Sequence, residues 1–301
     1  MKILTINTHS LIEENYLQKL DWFVEMIRKE QPDIIAMQEV NQSLRAQQEV
    51  PSKLRGYVPC QGMKVPIRQD NHAAQVAERL RWAGLIYDWT WLAGKIGYSK
   101  YDEGMAFLYR GDIAETDAFC ISSCNDYENW RTRKVLGIRP EGSEDWFYTV
   151  HMGWWDDAHE PFQKQWQRLE EHLKCGKTDE ADKPADVNEV PSKTGRIWLL
   201  GDFNSPAEVR GQGYDRVASC GWKDTYELAE TKDGAMTVRG IIDGWRELLA
   251  ENDTRKEGMR IDHIWCSEAV PVLSSRVVFD GRETPVISDH FGVLIQVGEN
   301  E

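Results

Sequence analysis

Residues 197–204 read IWLLGDFN: a short apolar run, one glycine, and then Asp202 and Asn204 two positions apart. The run IWLL is typical of a short buried strand, and the residues after it are typical of a turn. Three other short apolar runs also end in a polar residue that can bind a metal or a phosphate; they are KILTI before Asn7, DIIAMQ before Glu39 and FYTV before His151. Because open α/β sheets bind ligands at the carboxyl ends of their strands, this recurrence predicts an α/β fold with its site at those ends.

The rest of the chain alternates between predicted strands and predicted helices. Helical spacing of apolar residues predicts helices over residues 17–30 and 71–82, and Pro161 suits the first turn of a third helix that ends near residue 174. Further strands are predicted at residues 104–109, 135–138, 146–150, 260–265, 270–279 and 291–297. Residues 176–195 are polar and contain proline, which predicts a surface loop. Since no repeat or linker divides the chain, residues 1–301 are expected to form one α/β domain.

The composition is that of a globular protein with an acidic balance. The 301 residues carry a formal net charge of −14, and 41% are hydrophobic, which excludes a wholly disordered chain. No apolar run approaches the roughly 18 residues that a membrane span needs, so no membrane partner is expected. The negative charge argues against a stable complex with nucleic acid, although a metal site can reverse the field locally.

Cysteine usage and the first residues indicate the compartment. The six cysteines are scattered, which favours free thiols over disulfides or a zinc site. The opening MKILTIN is typical of a strand and not of a signal peptide, so a cytoplasmic protein is expected. Thirteen tryptophans are many for this length, and tryptophan beyond the needs of a core often contacts flat amphipathic ligands.

Candidate metal ligands and catalytic groups follow the predicted strands. Glu39 with Asn7 offers the oxygen ligands that Mg²⁺ prefers, although each residue taken alone is more typical of a turn than of a metal site. Asp202 and Asn204 face the same way if their strand continues through them, which provides a carboxylate that accepts a proton and an amide that donates to a phosphoryl oxygen. The alternative is an Asx turn that caps a helix beginning at Pro206, and the local sequence does not decide between the two.

Seven short segments contain most of these polar residues: LTINT, AMQEV, YDEGMAFLYR, TVHMG, GDFN, RIDHIW and ISDHFGV. On these motifs and their order, the chain resembles the endonuclease/exonuclease/phosphatase superfamily from residue 2 to about residue 297. The resemblance implies a four-layer, deoxyribonuclease-like α/β fold, in which a two-sheet β-sandwich is flanked by helices. It also implies hydrolysis of a phosphate ester by an activated water, with Mg²⁺ as the cofactor and Mn²⁺ as a substitute ion.

The same resemblance implies a role for individual residues. The implied metal ligands are Asn7, Glu39 and Asp289. The implied catalytic residues are His151, Asp202, Asn204, Asp262, His290 and Glu103. In this scheme His151 contacts the phosphate, most usefully as a cation, and Glu103 pairs with it. Asp262 holds His290, and the proton of the attacking water goes either to Asp202 or to the Asp262–His290 pair.

Arg133, Trp154 and Trp155 are the predicted substrate-binding residues. Arg133 lies in the densest basic cluster, NWRTRK, which is either a phosphate clamp or a solvated strand end. Trp154 and Trp155 come soon after His151, where they would stack on the faces of sugar rings. The alternative is that both rings pack the loop against the following helix.

The variable middle of the chain narrows the expected substrate. The segments DNHAAQVAERL, GYSKYDEG, NWRTRKVLG, HMGWW and EPFQKQW resemble those of bacterial maltose 6′-phosphate phosphatases. That resemblance implies a phosphomonoester hydrolase whose partner is a small intracellular sugar phosphate, maltose 6′-phosphate or a similar phosphodisaccharide. Two other functions stay open: a phosphodiesterase or nuclease on the same fold, and a catalytically silent binding module. The sequence predicts no oligomeric state.

Overall fold

The computed structural model describes residues 1–175, 194–240, 242, 245, 253, 255 and 257–299, and this part of the chain forms thirteen strands and five α-helices. The strands are β1 (Lys2–Asn7), β2 (Ile34–Ser43), β3 (Asp88–Gly97), β4 (Tyr101–Tyr109), β5 (Ile113–Cys120), β6 (Lys134–Pro140), β7 (Trp146–His151), β8 (Ile197–Asp202), β9 (Lys223–Asp224), β10 (Ala229–Asp233), β11 (Asp262–Cys266), β12 (Val272–Val278) and β13 (Gly292–Val297). The helices are α1 (Tyr16–Glu30), α2 (His72–Trp82), α3 (Phe162–Cys175), α4 (Gly213–Ser219) and α5 (Thr225–Leu228).

The strands form two mixed sheets whose ends meet at one edge of the protein. The first sheet has the order β10-β12-β13-β1-β2-β4-β3, and the second has the order β5-β6-β7-β8-β11-β9. Strand β1 is parallel to β2, and β7 is parallel to β8, whereas β11 runs antiparallel to β8. Asn7 at the end of β1 hydrogen-bonds Asp202 at the end of β8. The polar ends of the central strands of both sheets are therefore neighbours.

Alternate residues of the central strands face different apolar cores. In β8, Trp198 and Leu200 pack between the two sheets, whereas Ile197 and Leu199 join the core that contains the apolar faces of α3 and α4. In β1, Ile3 likewise faces the other sheet, and Leu4 and Ile6 face α1 and α2. This burial on both faces explains why the strands are apolar throughout and do not alternate. The resulting order is helix, sheet, sheet, helix, which confirms the predicted two-sheet sandwich flanked by helices.

Helices α1, α2 and α3 lie where their local signals predict them, whereas the short helices α4 and α5 are not indicated by the sequence pattern. Helix α1 is followed by Gln31, which adopts a left-handed φ of 49° directly before Pro32. Helix α2 begins after Asn71, whose side-chain oxygen accepts a hydrogen bond from the backbone N–H of Ala74 at 3.1 Å. Asn71 is thus a helix cap, as its position before an apolar helical pattern indicates.

The strands that the sequence pattern does not indicate are the edge strands of the two sheets. They are β3 and β10 in the first sheet and β5 and β9 in the second. An edge strand has one unpaired side, so it tolerates polar residues and glycines that hide its pattern. Four of the five residues of β10 are exposed, and β3 contains two glycines within ten residues. These features mask the strands in a sequence read by periodicity alone.

Two further expectations concern the loop and the thiols. Residues 176–193 of the predicted surface loop lie outside the described residues. Cys60, Cys120, Cys124, Cys220 and Cys266 are free thiols, as their scattered positions indicate. Within the described residues, no helix combines the length and the apolar character that crossing a membrane requires.

Candidate active site

Asp202 is the centre of a row of three polar residues on adjacent strands of the second sheet. The register of β7, β8 and β11 pairs His151 with Asp202 and Asp202 with Asp262. His151 and Asp202 end parallel strands, whereas Asp262 begins an antiparallel one. Strand pairing therefore brings these three predicted catalytic residues to the same edge, although they are far apart in the sequence.

Glu39 and Asn7 occupy the facing edge of the first sheet. The pairing of β2 with β4 shifts between Met37 and Val40, so two residues of β2 oppose one of β4. Glu39 lies in this bulge with a left-handed φ of 49°, and bulges of this kind redirect a side chain out of the regular alternation. The Asn7 Nδ2 donates to Glu39 Oε1 at 2.9 Å and to Asp202 Oδ2 at 3.3 Å. Asn7 therefore links the two sheets across the site.

His290 joins the row through Asp262. Its Nδ1 lies 2.9 Å from Asp262 Oδ2, and its Nε2 lies 3.8 Å from Asp202 Oδ2. Burial disfavours the imidazolium, yet Asp262 and Asp202 raise the pKa of His290 well above its ordinary value. The pair predicted from the sequence is present, and the ring carries a positive charge next to Asp202 at neutral pH.

Asn204 follows the Asx-turn alternative, because β8 ends at Asp202 and does not continue through Asn204. Its backbone N–H donates to Asp202 Oδ1 at 2.8 Å, which is the Asx-type turn, and its φ is 45°. The helix of that alternative is not at Pro206, because α4 begins only at Gly213. The side chain of Asn204 is fixed by Trp245 Nε1, which donates to its Oδ1 at 3.0 Å. Its Nδ2 donates to the Met152 carbonyl at 2.9 Å and also faces Asp202 Oδ2 at 3.5 Å.

A solvent-open cavity of about 230 Å³ lies between the two sheet edges. Nine of the predicted site residues line it: Glu39, Glu103, Arg133, His151, Trp154, Asp202, Asn204, Asp289 and His290. Asn7 and Asp262 lie directly behind this lining, where they hydrogen-bond Glu39 and His290. The predicted residues thus converge, with the exception of Trp155.

Trp155 points away from the cavity. Its ring packs on Phe162 at the start of α3, with the ring centroids 6.2 Å apart. It also contacts the apolar core that lies between the second sheet and helices α3 and α4. Trp154 instead lines the cavity beside Trp130, with centroids 6.1 Å apart, and its buried Nε1 has no hydrogen-bond partner among the described residues. The predicted stacking role does not fit Trp155, because its ring faces the helix.

Arg133 is buried in the wall of the cavity, so the alternative of a solvated strand end is wrong. Only 5% of the residue is exposed. Its Nη1 donates to the Trp130 carbonyl at 3.3 Å, whereas its buried Nε has no acceptor among the described residues. Burial lowers the pKa of Arg133, and the carboxylates of Glu103 and Asp202 oppose that effect.

Lys95 is a cavity residue that the sequence analysis missed. It follows a shift in the register of β3, which places it opposite Glu103 of β4. Its Nζ lies 3.1 Å from Glu103 Oε1 and donates to the Trp130 carbonyl at 3.1 Å. The predicted pairing of Glu103 with His151 is therefore replaced by an ion pair with Lys95. The one signal that the sequence offers for this position is a lysine among residues that are buried in a strand.

His151 differs from the expectation in its charge. Its Nε2 lies 3.6 Å from Asp202 Oδ2. Burial, Arg133 and Lys95 together lower the pKa of His151 well below its ordinary value. The ring is neutral at neutral pH, so it contacts a ligand as a hydrogen-bond donor rather than as the predicted cation.

His9 is a second cavity residue that the sequence analysis missed. Its Nδ1 lies 2.7 Å from Glu13 Oε1 and 3.8 Å from Asp289 Oδ1, and its Nε2 lies 3.1 Å from the Tyr98 hydroxyl. Burial disfavours its charged form, but Glu13, Asp289 and Glu39 raise the pKa of His9 to about 9. Its position two residues after Asn7 is the signal that the sequence offers.

The carboxylates of the cavity fit a divalent cation. Burial and the neighbouring Glu103 raise the pKa of Glu39. Burial, Asp262 and Glu39 raise the pKa of Asp202 to about 7, although His290 opposes them. A divalent cation would offset this repulsion, since it is often the largest charge in such a site. Glu39 and Asp289 line the cavity with the oxygen donors that hard cations prefer, whereas Asn7 Oδ1 accepts from the backbone N–H of His9 at 3.2 Å.

Two compact groups of metal-ligating side chains lie beside these residues. One consists of His9, Glu13 and Asp289, and the other of Asp202, Asp262 and His290. Within each group the ligand atoms lie within 4.8 Å of one another. Either group could therefore hold a metal ion.

Comparisons with known proteins agree with this geometry. Residues 4–290 match the sequence model of the Endonuclease/Exonuclease/phosphatase family. Among solved structures, the chain is similar to an endonuclease/exonuclease/phosphatase family protein from Leptotrichia buccalis C-1013-b, with 30% sequence identity and a TM-score of 0.77 over 99% of this chain and 100% of that chain. A search of curated proteins found no match.

Two more distant solved structures share the fold. One is a mannosyl-6-phosphatase from Bacteroides thetaiotaomicron VPI-5482, with 17% identity and a TM-score of 0.59 over 99% of this chain and 100% of that chain. The other is truncated TDP2 from Caenorhabditis elegans, with 16% identity and a TM-score of 0.58 over 99% of this chain and 97% of that chain. At these identities the similarity shows a common fold and nothing about the substrate.

Proposed function

Because the chain belongs to the endonuclease/exonuclease/phosphatase family, a family of hydrolases, we propose that it is a Mg²⁺-dependent phosphatase of a cytoplasmic sugar phosphate. The expected substrate is a phosphorylated disaccharide, maltose 6′-phosphate or a similar compound. The observation that carries the proposal is the buried guanidinium of Arg133, which lines the same cavity as Glu39 and Asp289. A phosphoryl group in this cavity would accept hydrogen bonds from the guanidinium.

Asn7, Glu39 and Asp289 would hold the metal ion. When bound, Mg²⁺ supplies positive charge beside the phosphoryl oxygens and the leaving oxygen. Mn²⁺, which also accepts oxygen ligands, would substitute for it. Asn7 has a second task, since its hydrogen bonds to Glu39 and Asp202 fix the spacing of the metal ligand and the catalytic carboxylate.

His151, Asn204 and Arg133 would bind the phosphoryl oxygens. His151 donates as a neutral imidazole, consistent with its lowered pKa. The Asn204 amide is held by Trp245 and by the Met152 carbonyl, so its orientation is set before a ligand binds. Groups that are positioned in advance contribute most of the rate gain in phosphoryl transfer.

Asp202 is the group best placed to take the proton from the attacking water. Its Oδ1 is engaged by the Asn204 backbone, whereas its Oδ2 lies within 3.3, 3.6 and 3.8 Å of Asn7 Nδ2, His151 Nε2 and His290 Nε2. His290 is held from behind by Asp262, which leaves Asp202 as the carboxylate between the two sheets. In-line attack by water from this side releases inorganic phosphate from the sugar.

Aromatic side chains at the mouth of the cavity would bind the sugar. Trp130 and Tyr98 are 45% and 47% exposed, yet both line the cavity. Trp154 forms a corner with Trp130, with an angle of 58° between the rings. Flat, partly exposed rings beside a phosphate site are typical of carbohydrate recognition, because they contact the apolar faces of sugar rings while water reaches the hydroxyl groups.

The surroundings of the cavity favour a small molecule over a nucleic acid. The predicted basic cluster is NWRTRK, but Arg131 forms an ion pair with Asp157 at 3.4 Å and lies over the Trp130 ring. Lys134 donates to the Ala93 carbonyl. These basic groups are engaged within the protein, whereas binding of a polyanion relies on free Lys and Arg along its path. A diesterase on the same fold is the second candidate.

Phosphate release from a substrate panel tests the proposal. The panel contains maltose 6′-phosphate, trehalose 6-phosphate, glucose 6-phosphate, an inositol phosphate and plasmid DNA, each with Mg²⁺ and with EDTA. We expect Mg²⁺-dependent release concentrated on a phosphodisaccharide, and loss of that release in Asp202→Asn. Nicked plasmid with silent sugar phosphates would overturn the proposal in favour of the diesterase. Binding of a sugar phosphate without turnover of any ester would indicate a silent binding module.

A further inference from the structure

Two buried cations share one wall of the cavity. Lys95 and Arg133 are 9% and 5% exposed, and both donate to the carbonyl of Trp130, at 3.1 and 3.3 Å. Cations are seldom buried without matching anions, because removal from water is unfavourable for each charge. Two cations on one carbonyl oxygen therefore call for nearby negative charge.

Only one of the two cations of this wall has a direct ion pair. Glu103 forms that ion pair, with Lys95. No carboxylate in the described part of the chain lies within ion-pairing distance of Arg133, whose Nη1 donates to a backbone carbonyl. The carboxylates of Glu103, Asp202 and Glu39 act on Arg133 only from a greater distance. Arg133 is therefore the cation of this wall that a ligand anion can pair with directly.

The backbone is shaped around the pair of Lys95 and Glu103. The two residues are register partners on β3 and β4, and the shift before Lys95 turns its side chain toward the cavity. A Cβ atom on Gly97 would overlap the Glu103 carboxylate, so glycine there leaves room for the position in which Glu103 pairs with Lys95. The ion pair therefore has a built position and is not a chance contact of two mobile side chains.

We infer that Lys95 and Arg133 bind the third free oxygen of a phosphomonoester and thereby make the site selective for monoesters over diesters. This inference rests on the proposed function and assigns a specificity role to Lys95. A monoester has three free oxygens and carries up to two negative charges. The metal ion, His151 and Asn204 would contact only some of these three oxygens. A diester has an ester bond in place of the third oxygen, so it brings one charge less to the two cations and places a carbon substituent against them.

The inference distinguishes Lys95 from the lysine next to Arg133. Lys134 also donates to a backbone carbonyl of β3, that of Ala93 at 3.1 Å, but it does not line the cavity. Removal of the Lys134 amine breaks a comparable contact with a carbonyl but leaves the positive charge that faces the phosphate unchanged. Lys134→Met is therefore the matched control for Lys95→Met.

Two esters with the same leaving group test the inference. We expect wild-type protein with Mg²⁺ to prefer p-nitrophenyl phosphate over methyl p-nitrophenyl phosphate. In Lys95→Met, kcat/KM for the monoester falls by about 10- to 100-fold, the scale of a lost hydrogen bond to a charged group, while kcat/KM for the diester stays within about threefold. Lys134→Met keeps the wild-type ratio, and Lys95→Arg retains most of it because the charge is kept.

Binding of inorganic phosphate provides a readout that does not depend on turnover. Calorimetry on the Mg²⁺-loaded protein should show weaker phosphate binding in Lys95→Met than in Lys134→Met, with both variants folded by circular dichroism. Equal losses for monoester and diester in Lys95→Met, or unchanged phosphate binding, would overturn the inference and leave the phosphatase proposal intact. A wild-type protein that hydrolyses no monoester would instead overturn the proposed function itself. If Lys95→Met does not fold, Lys95→Gln gives the same comparison, with Lys95→Arg as the variant that keeps the charge.

Discussion

Nδ1 of His290 lies 2.9 Å from Oδ2 of Asp262, and both side chains are buried. The other carboxylate oxygen of Asp262 has no partner among the described residues, so Asp262 serves His290 alone. The backbone N–H of Asp262 donates to Thr237 Oγ1 at 3.1 Å, which fixes the start of β11. The pair keeps a positive charge beside Asp202, where the proton of water is expected to arrive.

Asp262→Asn should lower kcat while KM for the sugar phosphate changes little. The amide is similar in size but neutral, so the His290 imidazolium loses the charge that stabilises it. We expect kcat to fall by about 100-fold or more, which is the usual contribution of an acid–base group. Steady-state kinetics on the best substrate of the panel provides the measurement, and Asp156→Asn, an exposed carboxylate near His151, is the control. A fall of the same size in the control would contradict the assignment.

Glu39→Gln should weaken metal binding and activity together. The bulge in β2 directs the Glu39 carboxylate into the cavity, and glutamine keeps its hydrogen bond with Asn7 while removing the charge. The Mg²⁺ concentration for half-maximal activity should rise by at least about 10-fold, the scale of changes next to a metal site. Thermal unfolding across a Mg²⁺ series offers a second measurement, since a bound ion stabilises the folded state. Wild-type Mg²⁺ dependence in Glu39→Gln would show that the metal binds elsewhere.

Three of the predicted site residues lie at the ends of central strands, and a fourth, Glu39, lies in a bulge within β2. Asn7, Glu39, His151 and Asp202 each follow a run of apolar residues, and such a run is buried because both faces of its sheet are covered. Strand pairing then brings the ends together, so local pattern and global position coincide. The helices follow the same logic, because caps and helical spacing are local signals.

The residues that the sequence misses depend on contacts between distant strands. Lys95 enters the cavity only because β3 shifts its register against β4, and β3 is an edge strand with glycines in it. The direction of Trp154 and Trp155 depends on the backbone of a loop, where neither a period of two nor one of 3.6 applies. The charge of His151 depends on Arg133 and Lys95, which come from other elements of the sandwich.

Two buried neutral histidines should each contribute stability that is lost in mild acid. Burial and Arg79 lower the pKa of His72 from 6.5 to about 3, and burial and Arg260 lower that of His263 from 6.5 to about 3. The unfolded chain binds these protons first, so the contribution to stability is present above pH 6.5 and is lost as the pH falls toward 3. Each histidine should remove about 2 kcal/mol between pH 6.5 and pH 5.

Denaturant unfolding at pH 7 and pH 5 measures this loss. His72→Gln keeps a polar partner for the Tyr16 hydroxyl, which lies 3.0 Å from Nδ1, but it cannot be protonated. The free energy of unfolding that is lost between pH 7 and pH 5 should be smaller by about 2 kcal/mol in this variant than in the wild-type protein, whatever the absolute stability of the variant. An unchanged difference would mean that His72 is protonated to the same extent in the folded and unfolded chain.

Substitution of Trp154 should affect substrate binding, and substitution of the adjacent Trp155 should affect stability. Trp154 lines the cavity beside Trp130, whereas Trp155 packs on Phe162. Trp154→Leu should raise KM for the sugar phosphate several-fold and leave p-nitrophenyl phosphate, which lacks the sugar, unaffected. Trp155→Leu should keep both KM values and reduce the free energy of unfolding by about 1–2 kcal/mol, less than a fully buried tryptophan would. Kinetics with both substrates and denaturant unfolding on the two variants check the pair. A rise in KM for the sugar phosphate alone in Trp155→Leu would mean that its ring turns from α3 to the ligand when substrate binds, and the assignment of these two rings would have to be reversed.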